Sequence, residues 1–229
     1  MPAEVLHSAI VDAIAQDIVD GRLPPGEVLR LDGIGAKFDI SRTVAREVMR
    51  SLESVGLVEA RRRVGLVVQE RSSWALLDPR VIAWRLNGPW REAQLASLTQ
   101  LRTAVEPVAA GAAAQSASAS QCGRLLELAH DLERFGAAGD AQAFLRADIA
   151  YHALILEASG NEMFGALEDV FAVTLTGRTH GGLMPRFPRA EAVEAHVRVA
   201  RAVRGRDSEA AHDAMAEMMR ELRGDLFGP

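Results

Sequence analysis

A mainly α-helical fold in two parts is what this sequence predicts, and three observations predict it. From Ser41 to Leu52 a helical spacing sets arginines on one face and apolar residues on another. Residues 56–68 alternate like two short paired strands around a basic tip. Beyond Trp90 every long segment repeats its apolar residues at three- and four-residue intervals, and strand patterns are absent. The expected boundaries are 1–70 for the first domain, 71–90 for a connector, and 91–229 for an all-α bundle of about six helices.

The elements of the first domain follow in order. Ile10, Ile14, Ile18 and Val19 keep helical spacing up to Gly21-Arg22-Leu23-Pro24-Pro25-Gly26, where glycines and prolines force a turn. A short second helix runs from about Asp32 to Phe38. Ser41 then caps a third helix, with Arg42, Arg46 and Arg50 one turn apart and Val44, Val48 and Leu52 on a different side. Gly56-Leu57-Val58-Glu59-Ala60 and Leu66-Val67-Val68 read as strands joined through Arg61-Arg62-Arg63-Val64-Gly65, whose glycine permits a tight turn. Three helices and a basic hairpin make a winged helix-turn-helix. Taken alone, the arginine stripe suits an ordinary solvated helix. In this setting it suits the DNA major groove, with Ser41, Arg42, Thr43, Arg46 and Arg50 facing bases or phosphates. The tip at Arg61, Arg62, Arg63 and Gly65 would touch the backbone or minor groove.

These motifs resemble the DNA-binding domain of the GntR family of bacterial transcription regulators. The resemblance rests on Gly21-x-Leu23-x-Pro25-Gly26, Ser41-Arg42-Thr43-x-x-Arg46-Glu47 and Gly56-Leu57-Val58…Gly65-x-x-Val68. One departure stands out. Where the family often opens its second helix with Ser-Glu-Arg, the arginine lying near DNA, this chain has Arg30-Leu31-Asp32-Gly33. Asp32 cannot donate to a phosphate, so that contact is not carried over.

Composition narrows the class. The 229 residues suffice for two cores. Lys and Arg number 26 against 31 Asp and Glu, for a net charge of −5, so the whole molecule is no polycation. Between Ile40 and Arg71, seven arginines face four glutamates, a local +3 suited to a nucleic-acid partner. Cys122 is alone, which excludes an intrachain disulfide framework. No apolar run approaches the roughly 18 residues of a membrane span, and the amino terminus lacks signal-peptide character. A cytoplasmic protein with no membrane partner is expected.

All three tryptophans, Trp74, Trp84 and Trp90, fall in or at the end of the connector, where a short helix around Pro79–Leu86 would dock indoles on a domain face. In the second half, stripes run through Leu95-Leu98-Leu101-Val105-Val108, Leu125-Leu128-Leu132 (after Ser120 as cap), Phe144-Ile149-Leu156, Leu167-Val170-Phe171-Leu175, Val193-Val197-Val203 and Ala211-Met215-Met218-Leu222. Polar residues sit among them: Asp148 and His152 share a helical face, as do Arg102 and Glu106, and His196 lies within its own apolar helix. Arg102–Glu106 alone reads as a surface ion pair worth about 0.3–0.5 kcal/mol.

Together, Leu101-Arg102…Glu106-Pro107, Ala147-Asp148…Tyr151-His152…Asn161, Glu194-Ala195-His196 and Gly205-Arg206-Asp207 resemble the FCD ligand-binding domain of the FadR subgroup of GntR regulators, over about residues 91–224. Many members hold a divalent metal (zinc, nickel or manganese) with one aspartate and three histidines. The resemblance carries this to Asp148, His152 and His196, whereas the fourth position is Met218, a poor ligand for such ions. Two alternatives stay open: a weak or effector-assisted metal, or a metal-free pocket in which the trio hydrogen-bonds the effector. Within the subgroup the chain is similar to regulators of sugar-acid catabolism, those sensing compounds such as galactonate or gluconate. That implies a homodimeric repressor on a double-stranded operator, with Arg102, Asp148, His152, Arg178 and His196 around a small carboxylate effector. Rival expectations are a regulator responding to a metal or another carboxylate, and a metal-dependent hydrolase built on the trio.

Overall fold

The computed structural model describes residues 3–181 and 187–227, and the chain divides into two compact units, Met1–Gln94 and Leu95–Pro229. The first opens with α1 (Ala3–Val19), whose Ile10, Ile14, Ile18 and Val19 are buried as their spacing demands. Gly21, at φ +80°, ends it, and the Leu23 N–H returns to the Asp17 carbonyl. Strand β1 (Val28–Leu29) follows, then α2 (Leu31–Phe38), α3 (Arg42–Ser54), β2 (Val58–Arg61) and β3 (Gly65–Val68). The sheet order is β1-β3-β2, antiparallel throughout. The two-residue β1 escaped the sequence reading because it is too short to alternate.

Helix α3 starts where Ser41 accepts a hydrogen bond from the Val44 N–H, at 3.3 Å. Ala45, Val48 and Leu52 are fully buried against α1 and the sheet, with Val44 half-buried beside them. That packing leaves the opposite face of α3 in solvent. Glu53 Oε1 accepts from the Ala60 N–H at 3.0 Å and ties the end of α3 to the wing.

A 3₁₀ turn (Arg71–Ser73) leads to α4 (Pro79–Leu86), capped by Asp78 with proline at its first position. Trp84 joins the core of the first unit and donates to Asp12 Oδ1, Trp74 donates to the Gln69 carbonyl, and Trp90 donates to the Val19 carbonyl. The indoles therefore dock on the first unit's own helices and wing. Gly56, at φ +73°, is where the wing passes that turn; a Cβ there would lie 2.1 Å from the Ser73 carbonyl oxygen. Gly56→Ala is expected to cost about 2 kcal/mol or more, through both the clash and the left-handed backbone. Urea denaturation of the variant reads this as a lowered midpoint at unchanged slope.

The second unit is helical throughout its described residues: α5 (Arg91–Ser116, whose first turn lies before the unit boundary), α6 (Ala119–Ala138), α7 (Ala141–Ala158), a one-turn α8 (Glu162–Gly165), α9 (Glu168–His180), α10 (Ala190–Arg204) and α11 (Ser208–Phe227). The cap of α6 is Ser118, not the expected Ser120. Ser118 and Gln121 form a reciprocal capping box, which the helix-favouring alanines around them had masked. The face of α5 also differs from expectation. Leu101 and Val105 are half-buried and Val108 is half-exposed, while the buried line runs Leu95, Leu98, Thr99, Arg102, Glu106, Ala109 and Ala113. Helix α7 buries Asp148 and His152 on the same line as Phe144 and Leu156, with Ile149 half-buried. No helix among the described residues is long and apolar enough to cross a membrane.

Candidate functional site

Two regions collect the chemistry. On the first unit, Ser41, Arg42, Thr43, Arg46 and Arg50 are all exposed on the free face of α3. Arg46, Arg50 and Arg61 line one concavity with Leu31, Met49 and Gly65, so helix and wing present cations to a common space. Arg50 pairs with Glu47 at 2.8 Å and Arg61 with Glu59 at 3.0 Å, both in solvent, where water screens them to about 0–1 kcal/mol. Such pairs exchange readily for phosphates. The wing tip turns with the Val64 N–H bonded to the Arg61 carbonyl and Arg63 at φ +64°, leaving the Arg61, Arg62 and Arg63 side chains exposed. Gly65 serves a purpose the sequence reading missed. At φ +131°, a Cβ on it would come within 2.9 Å of the Leu29 carbonyl of β1.

In the second unit, α5, α7 and α10 bring a polar cluster into the bundle. Glu106, fully buried, sets Oε1 2.5 Å from Arg102 Nε and Oε2 2.5 Å from His152 Nδ1. His152 Nε2 lies 3.3 Å from Asp148 Oδ1, and His196 Nε2 lies 3.4 Å from the same oxygen. His196 Nδ1 is 3.0 Å from the Ala192 carbonyl, which can only accept, so that nitrogen carries the proton and Nε2 offers a lone pair. Tyr151 donates to the His196 backbone carbonyl at 2.8 Å and locks α7 to α10.

Both imidazoles turn Nε2 toward one carboxylate oxygen, with Nδ1 of His196 hydrogen-bonded to the backbone and Nδ1 of His152 in ionic contact with Glu106. Ligand atoms of Asp148, His152 and His196 all fall within 4.8 Å of one another, and buried His196 Nε2 has no hydrogen-bond partner among the described residues. Converging lone pairs of this kind call for a cation, either a proton or a divalent metal. One carboxylate and two oriented imidazoles suit zinc, nickel or manganese.

The electrostatics agree. Burial raises the Glu106 carboxyl, but the charges of Arg102 and His152 outweigh it and hold the group at about 2, below the ordinary 4.5. Burial likewise opposes ionisation of Asp148, yet the imidazoles of His152 and His196 that face it keep it well below the usual range. His152 is lowered by burial and raised more by Glu106 and Asp148, for a net rise above 6.5.

Beside the trio lies a second set of buried polar atoms without partners. Arg102 is 1% exposed; its Nε is engaged, while Nη1 and Nη2 have no hydrogen-bond partner among the described residues, nor does buried Thr99 Oγ1. The Arg102 guanidinium lies 5.8 Å from the Phe171 ring centre. A buried guanidinium with its outer fork unused is costly unless a ligand completes it, and a carboxylate fits that fork in bidentate fashion.

Residues 6–68 match the bacterial regulatory proteins of the gntR family, and residues 97–221, more than half of the chain, match the FCD domain. The chain belongs to the GntR family. It is a DNA-binding transcriptional regulator and not an enzyme, which removes the hydrolase alternative. The galactonate operon transcriptional repressor of Escherichia coli (strain K12) is 28% identical over 214 residues, 92% of each chain. The HTH-type transcriptional regulator LutR of Bacillus subtilis (strain 168) is 25% identical over 147 residues, 64% of each. Among solved structures, the Listeria monocytogenes regulator Lar superposes with a TM-score of 0.62 at 16% identity over 96% of both chains. E. coli McbR/YncC does so at 0.56 and 18% identity over 97% of both. These two establish the fold alone.

Within this GntR-family chain, the structure brings Arg102, Asp148, His152 and His196 together. Arg178 stands two turns beyond Phe171 on the same side of α9, half-buried in its last turn. Met218 is buried in α11, and His212, earlier on that helix, is half-exposed and engaged by Asp213 at 2.9 Å. Sequence reasoning missed the link from Glu106 to His152, and also Thr99, Tyr151 and Phe171. Only the Arg102–Glu106 spacing hinted at it, and that spacing reads equally as a surface pair.

Proposed function

We propose that this chain is a homodimeric repressor of a sugar-acid catabolic operon, released from DNA when an aldonate or uronate binds the FCD domain. The observation that carries the reading is the buried, half-used guanidinium of Arg102 next to the Asp148–His152–His196 trio. A sugar acid offers one carboxylate for the Arg102 fork and several hydroxyls for carboxylate and imidazole partners. A lipid tail would leave those polar groups unsatisfied, at a cost of about 1–3 kcal/mol each. The 92% coverage by a galactonate operon repressor supports the same class. A divalent metal held by Asp148, His152 and His196 would supply a Lewis-acidic point for carboxylate or hydroxyl oxygens. With Met218 in place of a fourth imidazole, its affinity would depend on the effector or water to complete the shell.

On DNA, Arg42, Thr43 and Arg46 read bases or phosphates in each half-site, Arg50 adds positive charge, and Arg61, Arg62 and Arg63 hold the backbone or minor groove. Release requires the effector to bind the DNA-free state more tightly, by about 1–3 kcal/mol of coupling. With about six phosphates neutralised per dimer, log affinity should fall against log salt with a slope near −5. Arg46→Ala removes one contact from each half-site and is expected to weaken operator binding by roughly 30-fold or more, leaving effector binding intact.

The test is a thermal-shift screen of aldonates and uronates, each with and without zinc, nickel or manganese, followed by gel shifts on the region upstream of the coding sequence. Release by a sugar acid supports the proposal. Release by metal alone identifies a metal sensor, and release by an unrelated carboxylate moves the effector class. Sedimentation of the pure protein checks the dimer.

A further inference from the structure

Asp32 brings a negative charge beside Arg42, on the side of the first unit assigned above to DNA. It stands in the first turn of α2, where a helix dipole favours an acid. Its Oδ1 accepts from both Nε (3.1 Å) and Nη2 (2.9 Å) of Arg42, the first residue of α3. Side-chain exposures of 74% for Asp32 and 80% for Arg42 leave the pair in water, so it does little for the fold. A carboxylate there also repels every phosphate that approaches. Such a residue weakens generic DNA affinity, so any benefit must lie in discrimination.

We propose that Asp32 is a specificity-determining residue that buttresses Arg42 for reading one guanine in each half-site. Of the five guanidinium N–H groups, Asp32 occupies two, both on the Nε side. The end-on fork of Nη1 and Nη2 remains, which is the edge that pairs with guanine O6 and N7. Fixing the inner edge orients that fork before DNA arrives and removes part of the rotamer entropy an exposed arginine would otherwise lose. The carboxylate also disfavours the competing pose in which Arg42 turns onto a neighbouring phosphate. Discrimination therefore rises from both sides, by orienting the correct contact and by excluding the sequence-blind one.

This inference rests on Arg42 facing DNA, and the experiment separates the two failures. Full-length wild type, Arg42→Ala, Asp32→Ala and Asp32→Asn each select duplexes from a randomised library. Fluorescence anisotropy then measures binding to the selected duplex, to single-base variants of it, and to a random duplex across KCl concentrations. Wild type is expected to select a guanine that Arg42→Ala no longer requires. Asp32→Ala should lose about tenfold in discrimination at that position while binding the random duplex as tightly as wild type or more so. Asp32→Asn keeps the acceptor without the charge, so it should retain the guanine preference yet gain random-duplex affinity. An unchanged guanine requirement in Asp32→Ala, with Arg42→Ala relaxed, overturns the buttress alone. An unchanged motif in Arg42→Ala overturns the reading of Arg42 and the buttress with it. Equal weakening on every duplex in both Asp32 variants marks a structural role and also overturns the proposal.

Discussion

Glu106→Ala is expected to lower the unfolding free energy by about 3–5 kcal/mol, the largest effect among the substitutions considered. At the surface an i,i+4 pair contributes about 0.3–0.5 kcal/mol, because water solvates whichever charge is left behind. Glu106 and Arg102 have no such refuge, being 0% and 1% exposed. Without the carboxylate, the guanidinium would be buried with Nε unpaired as well as Nη1 and Nη2. His152 would lose the group facing its Nδ1. Removing one member of a buried pair is costly mainly through the charge it strands. Thermal unfolding should register a drop of roughly 10 °C. Glu106→Gln keeps the shape and one acceptor and should lose less. Replacing both members, as Arg102→Met with Glu106→Leu, should recover much of the loss while abolishing effector binding. A Glu106→Ala protein within 1 kcal/mol of wild type would mean another group neutralises Arg102.

Arg102→Lys is expected to cut effector affinity by about 10²-fold or more while leaving operator affinity unchanged. The substitution keeps the charge beside Glu106, so the fold is not asked to bury a lone carboxylate. What it removes is the planar fork: an ammonium cannot present two parallel N–H groups to one carboxylate. Bidentate charge-assisted bonds in a dry site contribute roughly 1.5–3 kcal/mol each, which sets the scale of the loss. Calorimetric titration with the best ligand of the thermal-shift screen measures the effect, and anisotropy on the operator provides the control. Unaltered effector affinity would remove Arg102 from the binding site and leave it a structural partner of Glu106.

Legibility differed between the two halves for a physical reason. In α3 the apolar and charged faces separate cleanly, so Val48 and Leu52 could be assigned inward and Arg42 and Arg46 outward from spacing alone. In α5 and α7 the buried line is itself polar, running through Arg102, Glu106, Asp148 and His152. A reading that equates burial with apolar character rotates α5 wrongly, as at Leu101, Val105 and Val108. Spacing set Asp148, His152 and His196 among the apolar stripes, and resemblance to the FCD domain joined them into one site.

Local content was readable along the linear chain: which segments coil, where Ser41 caps a helix, where a short helix runs around Pro79–Leu86, and where basic residues gather between Ile40 and Arg71. Those features follow from propensities and spacings that act over a few residues. Packing is what sets Glu106 between Arg102 and His152, Asp32 against Arg42 across two helices, and Gly65 close to β1. Each of these joins groups on different elements, and whether a charge is stranded, shared or solvated depends on what packs around it.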